Sequence, residues 1–452
     1  MPTPLNIGTR DIPLKLAEAV TVRVKAEWES GAMLQKVSPT TRDLLTFWFL
    51  PPHTETRALN FHEGQKQAIL NVIYAHEILK VESVVNIYES VNPELLAQLD
   101  IAELKKAKYD IPKYAVKMAT GTGKTWVMHA LLIWQYLNAS QEEKQSGRFS
   151  KNFLLVAPGL IVYERLLDAY LGKEDEKKER RFERSDFYNS SGLFVPDTYK
   201  EKIFSFIQNA VAKKEEIGTK ACGDGVIAIT NWHLFMSKEK GAEENNAQIS
   251  PLEDPSIAVK EIFAVRPGTS GGNALESLDK QYLSGRELDF LAGMTDLVVM
   301  NDEAHHIHEN RTYGEVEEVE WQKGLDKISL NKNKKFTQID FSATPYDVTG
   351  GEQNRTKHYF PHTIIDFDLK TAIRAGLVKT IALDKRKELT DTVLDFRAIR
   401  DDANKLIALS DGQKVMLRAG LEKLKILEEK FVEFTKDKNG VSEKYPKMLV
   451  VC

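Results

Sequence analysis

Cysteine is almost missing from this chain: Cys222 and Cys452 are the only two in 452 residues. Two thiols exclude a disulfide framework and a thiolate metal site, and they fit a reducing compartment. Long apolar runs are missing as well. None approaches the roughly 20 residues needed to cross a bilayer, and the longest, Phe153 to Tyr163, is interrupted by Pro158 and Gly159. The opening residues, MPTPLNIGTRDIPLK, have no basic segment, apolar core or small-residue cleavage site. Nothing there directs secretion, so the sequence predicts a cytoplasmic protein without membrane contact. There is no excess of positive charge either. At a net charge of -4, a nucleic-acid site has to be a local basic groove, not a global attraction. What is present, 42% hydrophobic and 28% charged residues with mean hydropathy -0.36, describes a globular chain long enough for two or three domains.

The densest signal is Ala119-Thr120-Gly121-Thr122-Gly123-Lys124-Thr125, which follows the apolar run Tyr114–Met118 and opens a helical pattern of Val127, Leu131, Trp134 and Leu137. Strand, glycine-rich loop and helix in that order form a phosphate cradle. The backbone from Thr120 through Gly121, Thr122 and Gly123 would surround phosphate oxygens, with Lys124 on the β- and γ-phosphates and Thr125 on Mg²⁺. ATP and Mg²⁺ are therefore the expected cofactors. Met118 stands where the general pattern has glycine.

Apolar strand patterns recur at Ala115–Met118, Phe153–Ala157, Val226–Thr230, Leu297–Met300 and Thr337–Phe341, with helical or irregular stretches between them. That alternation predicts an α/β domain, a mostly parallel sheet with helices on both faces, whose ligands bind beyond the carboxyl ends of the strands. Residues 1–58 read as an N-terminal helical element, with helices near Leu14–Ala26 and Thr41–Leu50, and a long helix is expected over Glu63–Val81. Residues 59–380 read as the nucleotide-binding domain, with insertions near 165–220 and 237–285. Lys173–Arg184, KEDEKKERRFER, is expected to be the solvated face of a helix. Ser237–Pro255 reads as a surface insertion and Arg266–Asn273 as a loop.

A second constellation lies at Leu297–Met300 followed by Asn301-Asp302-Glu303-Ala304-His305. Two adjacent acids at a strand tip can divide the work of phosphoryl transfer, Asp302 holding Mg²⁺ and Glu303 activating water. The neighbouring His305, His306 and His308 lack the separated ligands of a zinc site. A third signal is Ser342-Ala343-Thr344-Pro345 at the end of another strand, where Ser342 and Thr344 can bond across to the acidic loop.

Together these motifs resemble those of superfamily 2 helicases of the DEAD/DEAH-box type, most closely the motor subunit of type III restriction enzymes. Met118–Thr125 resembles motif I, Ala157-Pro158-Gly159-Leu160 motif Ia, Asp302-Glu-Ala-His305 motif II and Ser342-Ala-Thr344 motif III. Phe61-His-Glu-Gly-Gln65 is similar to the adenine-recognition segment, and Thr230-Asn231-Trp-His233 to a turn that contacts nucleic acid. The resemblance implies that Gln65 reads adenine, that His305, Ser342 and Thr344 couple hydrolysis to movement, and that Pro158, Gly159, Asn231 and His233 approach the backbone of DNA, most simply double-stranded. It also implies a methyltransferase or specificity partner subunit and an endonuclease activity elsewhere in the protein.

Residues 381–452 read as a linker, a helix over Val415–Phe434 and the start of a second RecA-like domain, cut short at the apolar Lys447–Cys452. Two other readings of the same residues stay open: a nucleotide-gated DNA-binding or assembly module that does not translocate, and an unrelated phosphoryl-transfer enzyme.

Overall fold

In the computed structural model, residues 11–142, 147–231, 286–307, 310–312, 315–317, 320–330, 332, 335–349, 356–379, 395, 397–401, 406–435 and 447–448 are described. The chain divides into two units, Met1–Lys379 and Thr380–Cys452. The first is built on seven strands: β1 (Lys113–Met118), β2 (Asn152–Ala157), β3 (Val211–Ala212), β4 (Val226–Asn231), β5 (Leu297–Asn301), β6 (Phe336–Ser342) and β7 (Thr363–Phe367). They form one sheet in the order β7-β1-β6-β5-β2-β4-β3, and every pairing is parallel. This is the α/β architecture of a RecA-like domain. Parallel strands need both faces covered, which explains why β1, β4, β5 and β6 are buried from end to end.

Five of these strands coincide with the apolar runs in the sequence. β3 and β7 do not stand out there, because β3 has two residues and β7 contains the exposed Asp366. That aspartate pairs with Lys117 across the β1–β7 register.

Helix α1 (Ile12–Glu29) lies against β7, and α2 (Pro39–Phe49) against the phosphate-loop helix. Ile12, Leu16, Leu44 and Trp48 share one buried cluster with Val116 and Leu131, so the N-terminal helices are built into the core of the sheet domain. Helix α3 (Glu63–Ile73) ends in a π-helical turn, Tyr74–Ile78, instead of running on as one α-helix to Val81. The reason is polar. The turn delivers Glu77 inward, where Oε1 accepts the N–H of Ser38 at 2.5 Å and Oε2 accepts the hydroxyl of Thr41 at 2.7 Å and Trp134 Nε1–H at 3.3 Å. A buried carboxylate needs such donors.

Helix α4 (Lys124–Gln141) follows the phosphate loop and is buried almost throughout, and α5 (Leu160–Leu171) follows β2. The charged run Lys173–Arg184 is not a helix face, contrary to its composition. Only Phe182–Arg184 forms a short 3₁₀ turn. Arg180 folds back onto α5, pairing with Glu164 and Asp168 at 2.5 Å each and with Glu174 at 3.3 Å, and those contacts replace helical order. Ser237–Pro255 and Arg266–Asn273 lie outside the described residues.

Helix α6 (Arg286–Gly293) leads into β5, and the buried Lys332 ammonium donates to the carbonyls of Leu291, Ala292 and Met294 at 2.8, 3.2 and 2.6 Å. It satisfies acceptors that the end of the helix leaves open. Helix α7 (Glu320–Ser329) covers the same face through Trp321 and Leu325. In the second unit Ile399–Arg400 pairs antiparallel with Leu406–Ala408 ahead of a long helix, Asp411–Thr435.

Below the strand tips runs a layer of buried polar groups. Asp340 of β6 accepts from Asn301 Nδ2 at 2.7 Å and Gln338 Nε2 at 2.9 Å, and His362 Nε2 lies 2.8 Å from its other oxygen. Burial works against the charge. The His362 bond, the Lys113 and His362 charges and the Asn301 amide outweigh it and hold the carboxyl down to about 2, against an ordinary 3.8. A depressed carboxylate stabilises the fold above its unfolded pKa, and that contribution is lost as pH falls through its folded value. Asp340→Asn should therefore cost about 2 kcal/mol at neutral pH, with the gap to wild type narrowing between about pH 4 and pH 2. Urea unfolding at several pH values checks this; equal stability at pH 7 contradicts it.

Candidate nucleotide site

The carboxyl ends of β1, β6, β5 and β2 form one rim. At the tip of β1 the chain turns at Ala119, whose carbonyl accepts the Thr122 N–H at 3.3 Å and hydroxyl at 2.6 Å. Gly121 and Gly123 have φ of +81° and +77°, a region that side chains disfavour, and a Cβ on Gly121 would meet nothing within 4 Å. The loop is thus a tight turn with one open side, set at the N-terminus of α4, where helix N–H groups favour an anion. Met118, the departure from the general motif, is fully buried at the end of β1 and anchors the loop in the core.

Lys124 does not point into open space. Its Nζ lies 2.9 Å from Glu303 Oε1. Glu303 sits beyond β5 with φ at +47°, a left-handed conformation that costs a non-glycine residue energy. Two hydrogen bonds hold this turn: Asp302 N–H to Val156 O at 2.9 Å, and Glu303 N–H to Asp302 Oδ1 at 3.0 Å. His305 Nδ1 is 3.5 Å from Glu303 Oε2 and 3.0 Å from Ser342 Oγ, which also accepts the Thr344 N–H at 3.0 Å. A single contact path thus runs from the phosphate loop through Lys124, Glu303 and His305 to Ser342.

Burial, with the neighbouring Glu303 charge, pushes the Asp302 carboxyl up to about 6, and Lys124 and Arg165 oppose that rise. Arg165, on α5, was not among the residues the motifs single out; its sequence signal is weak, one arginine in a helix. A carboxylate so disfavoured would gain from a cation, and the Asp302 carboxylate and Thr125 hydroxyl are both hard oxygen donors of the kind Mg²⁺ takes.

The other expected site residues are placed as follows. Gln65 is buried against the loop, its Nε2 donating to Gly123 O at 3.2 Å and its Oε1 accepting the His62 N–H at 3.2 Å. Pro158 and Gly159 lie between β2 and α5, and a Cβ on Gly159 would meet open space. Asn231 ends β4, buried, with its side-chain N–H₂ unpartnered among the described residues. His233 and His308 lie outside the described residues. Among the described residues no group of three or more His, Cys, Asp or Glu is placed to hold a metal ion, and no helix is long and apolar enough to cross a membrane.

The family model of the type III restriction enzyme res subunit matches residues 58–347, more than half of the chain and all of the strand tips just described. The chain belongs to this family. Its members are superfamily 2 helicase-like restriction subunits, and membership carries the use of a nucleotide with it. A search of curated proteins gives no match.

In this restriction-subunit domain Glu303 holds the Lys124 ammonium at 2.9 Å, so a phosphate bound at Lys124 would have to compete with it. Glu303→Gln removes the competitor and the repulsion between carboxylate and phosphate. Its affinity for ADP, a ligand that no hydrolysis step consumes, should rise on the order of tenfold, about 1.4 kcal/mol. Titration with a fluorescent ADP analogue reads this directly, and an unchanged or weaker affinity contradicts it.

Proposed function

We propose that the chain is the ATP-driven motor of a restriction-type enzyme, coupling Mg-ATP hydrolysis to movement along DNA. The observation that carries this reading is the convergence of Lys124, Glu303, His305 and Ser342 on neighbouring strand tips, in contact with one another. Thr125 and Asp302 would hold Mg²⁺, which would supply neutralisation of phosphate charge. Lys124 exchanges Glu303 for phosphate. Glu303, released, orients the attacking water and accepts its proton. His305 and Ser342 are placed to pass that exchange to β6, and Thr344 continues the path through its amide. Gln65 borders the adenine side, with the loop from Thr120 to Gly123 around the phosphates.

Pro158 and Gly159 follow β2 and Asn231 ends β4; we assign these residues, together with His233, to contacts with DNA. Contacts there are expected with the sugar-phosphate backbone, sequence-independent and salt-sensitive. The unit from Thr380 onward we assign to the linker and the start of a second RecA-like domain, with residues 59–380 as the first. DNA cleavage, a methyltransferase or specificity partner and a cytoplasmic setting are supported by the family alone.

Lys124→Ala tests the nucleotide assignment. Loss of the ammonium should weaken Mg-ATP binding at least about 100-fold, roughly 3 kcal/mol, with the fold intact by circular dichroism. Calorimetry showing wild-type affinity in the variant contradicts the assignment.

A further inference from the structure

The segment Phe61–Gln65 is joined to the phosphate loop through the Gln65 amide and the His62 imidazole. His62 Nδ1 accepts the backbone N–H groups of Gly64 at 3.1 Å and Gln65 at 3.3 Å, capping α3. On the opposite side of the ring, Nε2 lies 2.8 Å from the carbonyl oxygen of Thr122. A carbonyl only accepts, so Nε2 carries the proton; Nδ1 faces two donors, so it carries none. The contacts therefore fix His62 as the neutral Nε2–H tautomer. The ring also stacks on Phe367, with centroids 5.5 Å apart, and the Phe367 carbonyl accepts the N–H of Ala119, the first residue of the loop, at 2.9 Å.

The consequence lies in the peptide planes. In a trans peptide the C=O and the following N–H point in opposite directions. Holding the Thr122 carbonyl toward His62 therefore aims the Gly123 N–H the other way. Gln65 Nε2, bonded to the Gly123 carbonyl at 3.2 Å, does the same for the Lys124 N–H. Glycine at 123, at φ +77°, leaves the peptide before it with little intrinsic resistance to flipping. A flipped plane turns a carbonyl oxygen toward the phosphate in place of an N–H, converting an attraction into a repulsion. The Trp126 N–H holds the Gly123 carbonyl at 3.0 Å from within α4, and on the Thr122 carbonyl the constraint comes from His62, the N-cap residue of α3.

We propose that His62 is a positioning residue for phosphate binding: its Nε2–H locks the Thr122–Gly123 peptide so that the amide donors of the loop face the nucleotide. The proposal rests on the nucleotide reading above and adds a residue that none of the phosphate-loop motifs contains. His62 touches no phosphate. It acts through the backbone, and its loss should affect phosphate recognition and leave recognition of the base alone.

His62→Asn separates the two jobs of the ring. A short side-chain oxygen still caps α3, and the side chain no longer reaches Thr122. With the intact protein, Mg-ATP binding should weaken about fivefold, the equivalent of one neutral hydrogen bond. Competition by tripolyphosphate should weaken by the same factor, and competition by adenosine should not change. In turnover, KM should rise and kcat hold. Wild-type affinity in the variant, or equal losses for adenosine and tripolyphosphate, overturns the proposal. A wild-type protein that binds no Mg-ATP overturns the functional reading as well, which tells the two failures apart. A readout independent of any nucleotide is the ¹⁵N spectrum of the histidine rings at neutral pH: His62 should appear as the Nε2–H tautomer, and the Nδ1–H form overturns the lock directly.

Discussion

The ion pair between Lys124 and Glu303 is the contact on which the site turns. It joins the first residue of α4 to the turn beyond β5, and in the sheet order β1 and β5 are separated by β6. The pair therefore arches over the tip of β6, where Ser342 meets His305. A parallel sheet with this strand order brings three loops from distant parts of the sequence to within a side chain's reach of each other. The charges are worth more there than at an open surface, because Lys124 is nearly buried and water screens it little. On the proposed reading, a phosphate that took Lys124 would free Glu303 and disturb His305 and Ser342 in one step. That is how a chemical event at a small ligand can become a strand-level event in the protein.

The tips can be held this way because the layer beneath them is rigid. Asn301, one residue before Asp302, and Asp340, two residues before Ser342, are register partners and bond to each other. His362 at the entrance to β7 closes the same network. An unsatisfied buried carboxylate is among the most destabilising groups a core can contain, so this cluster specifies one register of β5 against β6 and penalises a slipped one. Lys117 and Asp366 make a similar tie between β1 and β7.

The sequence and the structure agree where the signal is local. Strands such as Leu297–Met300 are short, fully apolar and bounded by polar turns, and the loop after β1, the acid pair and Ser342–Thr344 are contiguous stretches that the structure sets at neighbouring strand tips. Agreement ends where a partner is distant. Asp340 stands out as an acid within an apolar strand, yet nothing local names Asn301 and His362 as its partners. The π-turn at Tyr74–Ile78 is dictated by Ser38, Thr41 and Trp134, so a helical pattern read to Val81 is the natural error. Lys173–Arg184 has the composition of a solvated helix, and its irregular course brings Arg180 onto Glu164 and Asp168 of α5, distant partners no local pattern names. The bonds of Asn301 and His62 and the nearness of the Arg165 charge to Asp302 depend on geometry that no spacing rule encodes.

The measurement that tests the account most directly is the steady-state ATPase rate of the intact subunit, with and without double-stranded DNA, in the wild type and in Glu303→Gln. A motor of the proposed kind hydrolyses ATP faster on DNA, and the variant loses that stimulated turnover while still binding nucleotide. Hydrolysis that is indifferent to DNA, or that survives in Glu303→Gln, contradicts it.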